Sequence, residues 1–326
     1  MTRTACAVLF AAATGWAQAQ TPAAAPAPAP EDGLKWLQRI YRATETLSYS
    51  GTFVYQQGNR SETSRITRRA GTGGTIEKLE VLDGTPREIL RTPDEVRCYL
   101  PERRLIKVDR RSNPASFPAL LPEQVGALQD NYEISLGATA RIAGYDCQAI
   151  LLNPRDDLRY GYALWADVRT AMLLRAQTFN GEGDLVEQFS FVLLDVGNVP
   201  RSRLRPPRAA RDWQVEQAAV SPVDLERSGW HVADELPGFR KVAALQRVIG
   251  KSHSVNQIVY SDGMAALSIF IEPMSSRVEK ARIGLSGMGA VNVYTRQVDH
   301  FLVTVVGEAP AKSVQRIGDK VEYRPQ

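Results

Sequence analysis

Tyr49-Ser50-Gly51-Thr52-Phe53-Val54-Tyr55, turned at Gly58-Asn59 into a return run from Ser61 to Arg68, is the stretch on which the fold is decided. Tyr49, Gly51, Phe53 and Tyr55 alternate with Ser50, Thr52 and Val54, which is the period of a strand with two unlike faces, and Gly-Asn supplies a tight hairpin turn. Just upstream, Leu34, Leu37, Ile40, Tyr41, Thr44 and Leu47 fall on one face at helical spacing, with Asp32 available as the N-cap. The chain therefore opens with an amphipathic helix and a hairpin.

Downstream the strand signal recurs at Ile76 to Leu82, Pro86 to Arg91, Val96 to Leu100 and Leu105 to Asp109, with turns at Asp83-Gly84, Thr92-Pro93-Asp94 and Pro101-Glu102. Pro114, Pro118 and Pro122 then punctuate an apolar group, Phe117, Leu120, Leu121, Val125 and Leu128, predicting short helical pieces between Ser112 and Gln129. Strands resume at Tyr132 to Leu136, Thr139 to Ile142, Cys147 to Leu152, Gly161 to Asp167, Leu173 to Asn180 and Leu185 to Val196. So many sequential antiparallel strands predict a curled sheet, since a long open one coils strongly and exposes its edges. The fold class expected for residues 32–199 is mainly β: an antiparallel half-barrel with helices. Two readings of its interior stand. It is an apolar cavity suited to an acyl chain or a hydrophobic side chain, or it is a core plugged by Phe117, Leu120 and Leu121.

Residues 200–219 form the expected linker, with adjacent prolines and five arginines, Arg201, Arg203, Arg205, Arg208 and Arg211. The arginines form a patch for phosphates or an acidic peptide, or they are merely solvated. Residues 220–326 read as a smaller α+β domain, with strand signals at Lys241 to Val248, Val255 to Tyr260, Ala265 to Glu272, Ala290 to Gln297 and Phe301 to Gly307. A terminal helix begins at Pro310.

At the N-terminus Arg3, the apolar run from Ala5 to Ala13 and Ala17-Gln18-Ala19 predict a signal peptide over 1–19, cleaved after Ala19, and hence a periplasmic address. The Ala/Pro stretch within 20–31 predicts a disordered tether. Cleavage would leave Cys98 and Cys147, which are either bridged, for about 4 kcal/mol in the chain-entropy model, or two buried free thiols. A net charge of +4 is too small an excess to argue for nucleic acid, and the address argues against it.

Enzyme readings fail on residue supply. His231, His253 and His300 are the histidines, none in ligand-spaced pairs, so neither a metal nor another cofactor is expected. Gly284-Leu285-Ser286-Gly287-Met288 misses the GxSxG elbow by its last glycine and reads as a flexible turn. Asp156-Asp157 reads as a solvated turn, its two carboxylates pointing apart. No catalytic residue is expected.

Tyr260-Ser261-Asp262-Gly263-Met264 with Ser268-Ile269-Phe270-Ile271-Glu272, Gly289-Ala290-Val291-Asn292-Val293-Tyr294-Thr295-Arg296 with Val303 to Pro310, and Trp36-Leu37 through Tyr55 resemble segments of the RseB/MucB family, in the same order along the chain. The resemblance implies a large domain like the lipoprotein carriers LolA and LolB joined to a small α+β domain. It also implies a periplasmic negative regulator of the sigma-E (AlgU-type) envelope-stress response. Such a protein binds the periplasmic part of a membrane anti-sigma factor, shields it from site-1 proteolysis, and releases it when lipopolysaccharide or another acyl lipid binds. The alternative is a periplasmic lipid or lipoprotein carrier of the LolA type, against which the small domain argues. The apolar pattern offers Phe53, Phe117, Leu120, Leu121 and Trp165 for the lipid. Arg205, Arg208, Tyr294 and Arg296 are the candidates for the partner, although Tyr294 also reads as core and Arg296 as solvated. A homo-oligomer stays open, since no repeat or heptad specifies a number.

Overall fold

The computed structural model describes residues 32–110, 121–122, 124–197, 199–217, 219–225, 227–249, 253–274 and 282–324. The leader, the Ala/Pro tether, Phe117 and Leu120 lie outside them. Helix α1 (Gly33–Thr46) starts where the sequence places it, with the Asp32 carboxylate accepting from the Lys35 amide at 2.8 Å. It buries Trp36, Leu37, Ile40 and Ala43.

The first sheet begins with β1 (Tyr49–Gln57) and β2 (Arg60–Arg69), joined by Gly58-Asn59 with Gly58 at φ 57°. It continues through β3 (Ile76–Val81), β4 (Glu88–Arg91), β5 (Glu95–Leu100) and β6 (Leu105–Arg110). A short helix α2 (Leu128–Asn131) leads into β7 (Tyr132–Ile142), β8 (Tyr145–Pro154), β9 (Gly161–Asp167), β10 (Leu173–Phe179) and β11 (Leu185–Val196). With β12 (Gln214–Gln217) the spatial order is β12-β6-β5-β4-β3-β2-β1-β11-β10-β9-β8-β7, antiparallel throughout except for β12, which lies parallel to β6. Two meanders thus meet where β11 returns to β1.

The sheet is curled, as the sequence predicts. The Tyr145 hydroxyl on β8 donates to the Leu194 carbonyl on β11 at 2.9 Å, although β9 and β10 lie between. A flat sheet would hold those strands roughly 14 Å apart. The concave face packs on α1 in one core that joins Leu37 and Ile40 to Phe53, Ile66, Leu128, Ile150, Leu164 and Phe191. Gly51 sits where β1 bends beside a register shift at Thr52/Phe53, and a Cβ there would lie 2.7 Å from both the Leu193 carbonyl oxygen and Phe191 Cε1. Gly51→Ala is therefore expected to lower the unfolding free energy by about 1–3 kcal/mol in chemical denaturation, the cost of overpacking.

The stretch 199–213 is built onto the sheet rather than solvated along its length. Two 3-10 turns, Arg201–Leu204 and Arg208–Asp212, turn their arginines outward and bury Leu204 and Ala210. Ala210 and Trp213 pack with Leu90, Tyr99, Ile106 and Val108. These side chains alternate with Ile89 and Cys98, which share a cross-strand row with concave-face Ile66, so this second core caps the convex face.

The remaining strands are β13 (Ala219–Pro222), β14 (Trp230–Val232), β15 (Arg240–Ile249), β16 (His253–Ser261), β17 (Ala266–Pro273), β18 (Gly284–Met288), β19 (Val291–Val298), β20 (Phe301–Gly307) and β21 (Val321–Tyr323). Seven of them form a sheet of order β13-β15-β16-β17-β20-β19-β18, and β14 pairs with β21. Helix α3 (Ala311–Asp319) covers the sheet, and Leu267, Ile269, Val303, Val305, Val314 and Ile317 form the core. Gly284 to Met288, expected to be a turn, is an edge strand. Its backbone pairs with β19, and a pairing made by the main chain needs no hydrophobic alternation to announce it.

Candidate binding site at the domain junction

The loop between β8 and β9 carries Asp156-Asp157-Leu158-Arg159-Tyr160, and each of these residues is engaged. Arg159 Nε donates to Asp262 Oδ2 at 2.8 Å, across from the large sheet to the β16–β17 turn, and both side chains are essentially inaccessible, at 1% and 0%. Tyr132 on β7 donates its hydroxyl to the same oxygen at 3.0 Å, while Asp262 Oδ1 accepts from the Met264 and Ala265 amides at 2.9 and 2.8 Å. Arg159 Nη2 donates to the Pro237 carbonyl at 2.7 Å, Nη1 pairs with Asp156, and the guanidinium carbon lies 5.1 Å from the Phe239 ring centroid.

Burial alone would pull the Arg159 proton affinity down. The hydrogen bond and charge of Asp262, with the charge of Asp156, more than restore it, and its pKa ends raised. Burial pushes the Tyr132 phenol far up, so it remains a donor to Asp262 at any ordinary pH. The ion pair is fully desolvated yet fully hydrogen-bonded on its carboxylate, the condition under which such a pair holds together.

Around this lock the domains touch at further points. Ser313 donates to the Leu158 carbonyl at 2.7 Å, Lys312 pairs with Asp157, and Asn292 Nδ2 donates to the Tyr160 hydroxyl and to the Ala309 carbonyl, both at 2.9 Å. Beside these contacts runs a groove of about 800 Å³ whose walls come from both domains: Leu151, Asn153, Tyr160, Tyr162 and Phe179 on one side, Gly289, Asn292, Pro310 and Ala311 on the other. Asp156 and Asp157 in its wall are matched by Arg159 and Lys312, and Glu182, which accepts from Asn180, adds a third carboxylate to an otherwise mixed apolar and hydrogen-bonding surface. Another pocket, about 500 Å³ beside Trp230 and Tyr260, is confined to the small domain.

The structure distributes the sequence candidates differently. Phe53 and Leu121 meet in the α1 core. Phe53 is 4% exposed and set edge-to-face against Phe189 and Phe191 at 6.3 and 5.8 Å. Trp165 packs half-buried on that core with the Arg175 guanidinium 5.6 Å from its ring. Arg205 and Arg208 are exposed on the linker. Tyr294 and Arg296, by contrast, are committed within the small domain: the Tyr294 hydroxyl donates to Asp319 at 2.7 Å, and Arg296 donates to the carbonyls of Gly318, Asp319 and Val321 at the end of α3. They cap a helix.

Cys98 and Cys147 are free thiols, not a disulfide. They lie on β5 and β8, which are not neighbouring strands. Burial, helped by the Asp167 charge, pushes the Cys147 thiol up to about 11, and burial raises Cys98 as well. The residues that sequence reasoning passed over are Arg159 and Asp262, each set in an apparent surface turn. The one available signal was Arg-Asp-Asp-x-Arg, residues 155–159, a charge-balanced loop.

The model of the MucB/RseB N-terminal domain matches residues 32–219, and that of the MucB/RseB C-terminal domain matches residues 224–322. The chain belongs to the MucB/RseB family, a family of regulatory, binding proteins and not of enzymes. It is 30% identical over 310 residues to the sigma factor AlgU regulatory protein MucB of Pseudomonas aeruginosa, covering 93% of this chain and 94% of the relative. It is 24% identical over 292 residues to the sigma-E factor regulatory protein RseB of Escherichia coli K12, covering 88% and 89%. Among solved structures, the Pseudomonas aeruginosa MucA/MucB complex superposes with a TM-score of 0.68 at 27% identity, over 90% of this chain and 99% of the other. A crystal structure of MucB in complex with MucA(peri) gives 0.67 at 28%, over the same shares.

Proposed function

We propose that this protein is a periplasmic regulator that binds the periplasmic segment of a membrane anti-sigma factor in the groove between its two domains. The observation that carries the reading is the groove itself, walled by both domains and large enough for several side chains of a bound segment. Its support from relatives is the solved complex of MucB with MucA(peri), a protein similar to this one over nearly its whole length. A segment lying in the groove would be shielded from site-1 proteolysis by simple occlusion.

Release by lipopolysaccharide or another acyl lipid completes the reading. On the concave face a cross-strand row runs from buried Leu194 and Ile66 to half-buried Leu79, Ile89 and Cys98, an apolar strip continuous with the core that holds Phe53 and Leu121. An acyl chain inserted along it would press on α1 and the sheet. By linkage, whatever factor the lipid takes from partner affinity the partner takes from lipid affinity, typically about 5- to 150-fold or about 1–3 kcal/mol. Arg205 and Arg208 are exposed on the linker, which packs on the convex face, and are available there for anionic groups of either ligand.

Calorimetry of the mature protein with the periplasmic segment of its host's anti-sigma factor tests this, with and without lipopolysaccharide. Specific binding that weakens as lipid is added is the expected result, and Ala311→Arg, which places a long side chain in the groove from the exposed start of α3, is expected to weaken it about tenfold or more. Saturable lipid uptake with no binding of the segment would instead make the protein a carrier.

A further inference from the structure

We infer that the free edge of β18 receives an extended stretch of the same partner as an added strand, the stretch leaving the groove past Gly289. This rests on the regulator reading above. Among the described residues β18 is the last strand of its sheet and is hydrogen-bonded to β19 alone, so a row of its backbone N–H and C=O groups faces outward. The opposite edge, β13, contains Pro222, which cannot donate and so blunts that edge. Gly284-Leu285-Ser286-Gly287-Met288 has neither a proline nor a charge. Ile283, Leu285 and Met288 are 60%, 43% and 48% exposed, so apolar side chains flank an edge that no strand among the described residues covers, the arrangement used by strand-adding peptide sites.

Position and charge choose the occupant. Gly289, which follows β18, also lines the groove, and it abuts the large domain so closely that a Cβ would lie 2.0 Å from Gln57 Cγ. A segment held in the groove thus lies beside the end of this edge. Arg60 donates to Met288 Sδ at 3.3 Å at one end of β18, and exposed Arg282 precedes the other, so two cations bracket an uncharged strand. A second copy paired antiparallel about Ser286 would bring Arg282 of each chain toward Arg60 of the other, like charge against like. A short extended segment with apolar residues at alternate positions and carboxylates at its ends meets both cations instead.

Amide hydrogen exchange on the full mature chain, alone and with the anti-sigma segment, reads the edge directly. Slowed exchange within residues 284–288 on binding is the expected result. Leu285→Pro, which removes an N–H that faces away from β19, is expected to weaken binding about tenfold, as loss of an anchoring contact does, and by more than Leu285→Ala does. Should Leu285→Pro fail to fold, the exposed pair Arg60→Glu with Arg282→Glu gives a second measure, with weaker binding and a flatter salt dependence expected. Wild-type affinity in Leu285→Pro with no new protection in β18 overturns the inference and leaves the regulator reading standing. Protection of β18 that rises with protein concentration in the absence of the segment, together with a dimer in sedimentation, overturns it by giving the edge to a second copy. No binding of the segment by the wild-type chain removes the reading underneath it as well.

Discussion

An Asp262→Ala variant is expected to lose about 3–5 kcal/mol of unfolding free energy, because it takes the buried carboxylate away from an Arg159 guanidinium that is itself only 1% accessible. The substitution also releases the Tyr132 hydroxyl and the two turn amides that Asp262 accepts from, so the β16–β17 turn and the wall of the large domain loosen together. A cycle separates these effects. In an Arg159→Met background, Asp262→Asn keeps an acceptor for the amides and has no buried cation to abandon, so its cost is expected to be smaller than that of Asp262→Ala in the native chain. Denaturant titration of the native chain, Asp262→Asn, Arg159→Met and the double variant gives the coupling. Additive losses would mean that the pair is not what joins the domains. Because the groove is walled by both domains, the single variant should also bind the anti-sigma segment more weakly.

Glu77→Ala has a comparable effect by a different route. Tyr49, Arg68, Glu77 and Arg91 oppose one another across β1, β2, β3 and β4, and Glu77 accepts from both arginines, from Arg68 at 3.4 Å. Arg68 in turn donates to the Thr44 carbonyl in the last turn of α1. Without Glu77 two largely buried cations face each other, and about 3–5 kcal/mol should again be lost. The damage differs in place: exchange should accelerate at the C-terminal turn of α1 while the domain junction stays protected. Burial and then the Glu77 charge raise the Tyr49 phenol, so the same variant is expected to titrate that phenol at lower pH than the native chain.

Strands whose two faces differ were legible in the sequence. β9, β11 and β20 begin and end where the alternation does, and the Gly58-Asn59 turn joins β1 to β2 as read. β7 was read as two pieces because the register shift between Leu136 and Thr139 interrupts its period. β12, with all four side chains exposed, and β18 carry no pattern, since an edge strand is held by its backbone and its side chains owe nothing to a core. The site was harder for a related reason. A groove and a buried ion pair are made from residues far apart in sequence, Arg159 with Asp262, and each looks like an ordinary turn until the two domains are set side by side. Arg296 misled in the opposite direction: a cation on a strand looks available, but its donors are spent on the carbonyls that α3 leaves open.

The passage from β12 to β13 has a mechanical side. Only one residue, Ala218, separates a strand of the first sheet from a strand of the second, so there is no slack at the crossing while both remain paired. β12 is the weaker anchor, four exposed residues on a single parallel neighbour, and tension between the domains would peel it first. With the turns behind it also undone, residues 201–217 would become a leash of roughly 55 Å at full extension. The protein therefore has two lengths at which its halves can be held, a pivot one residue long and a strap many times longer, and a pulling trace should step between them before either sheet comes apart.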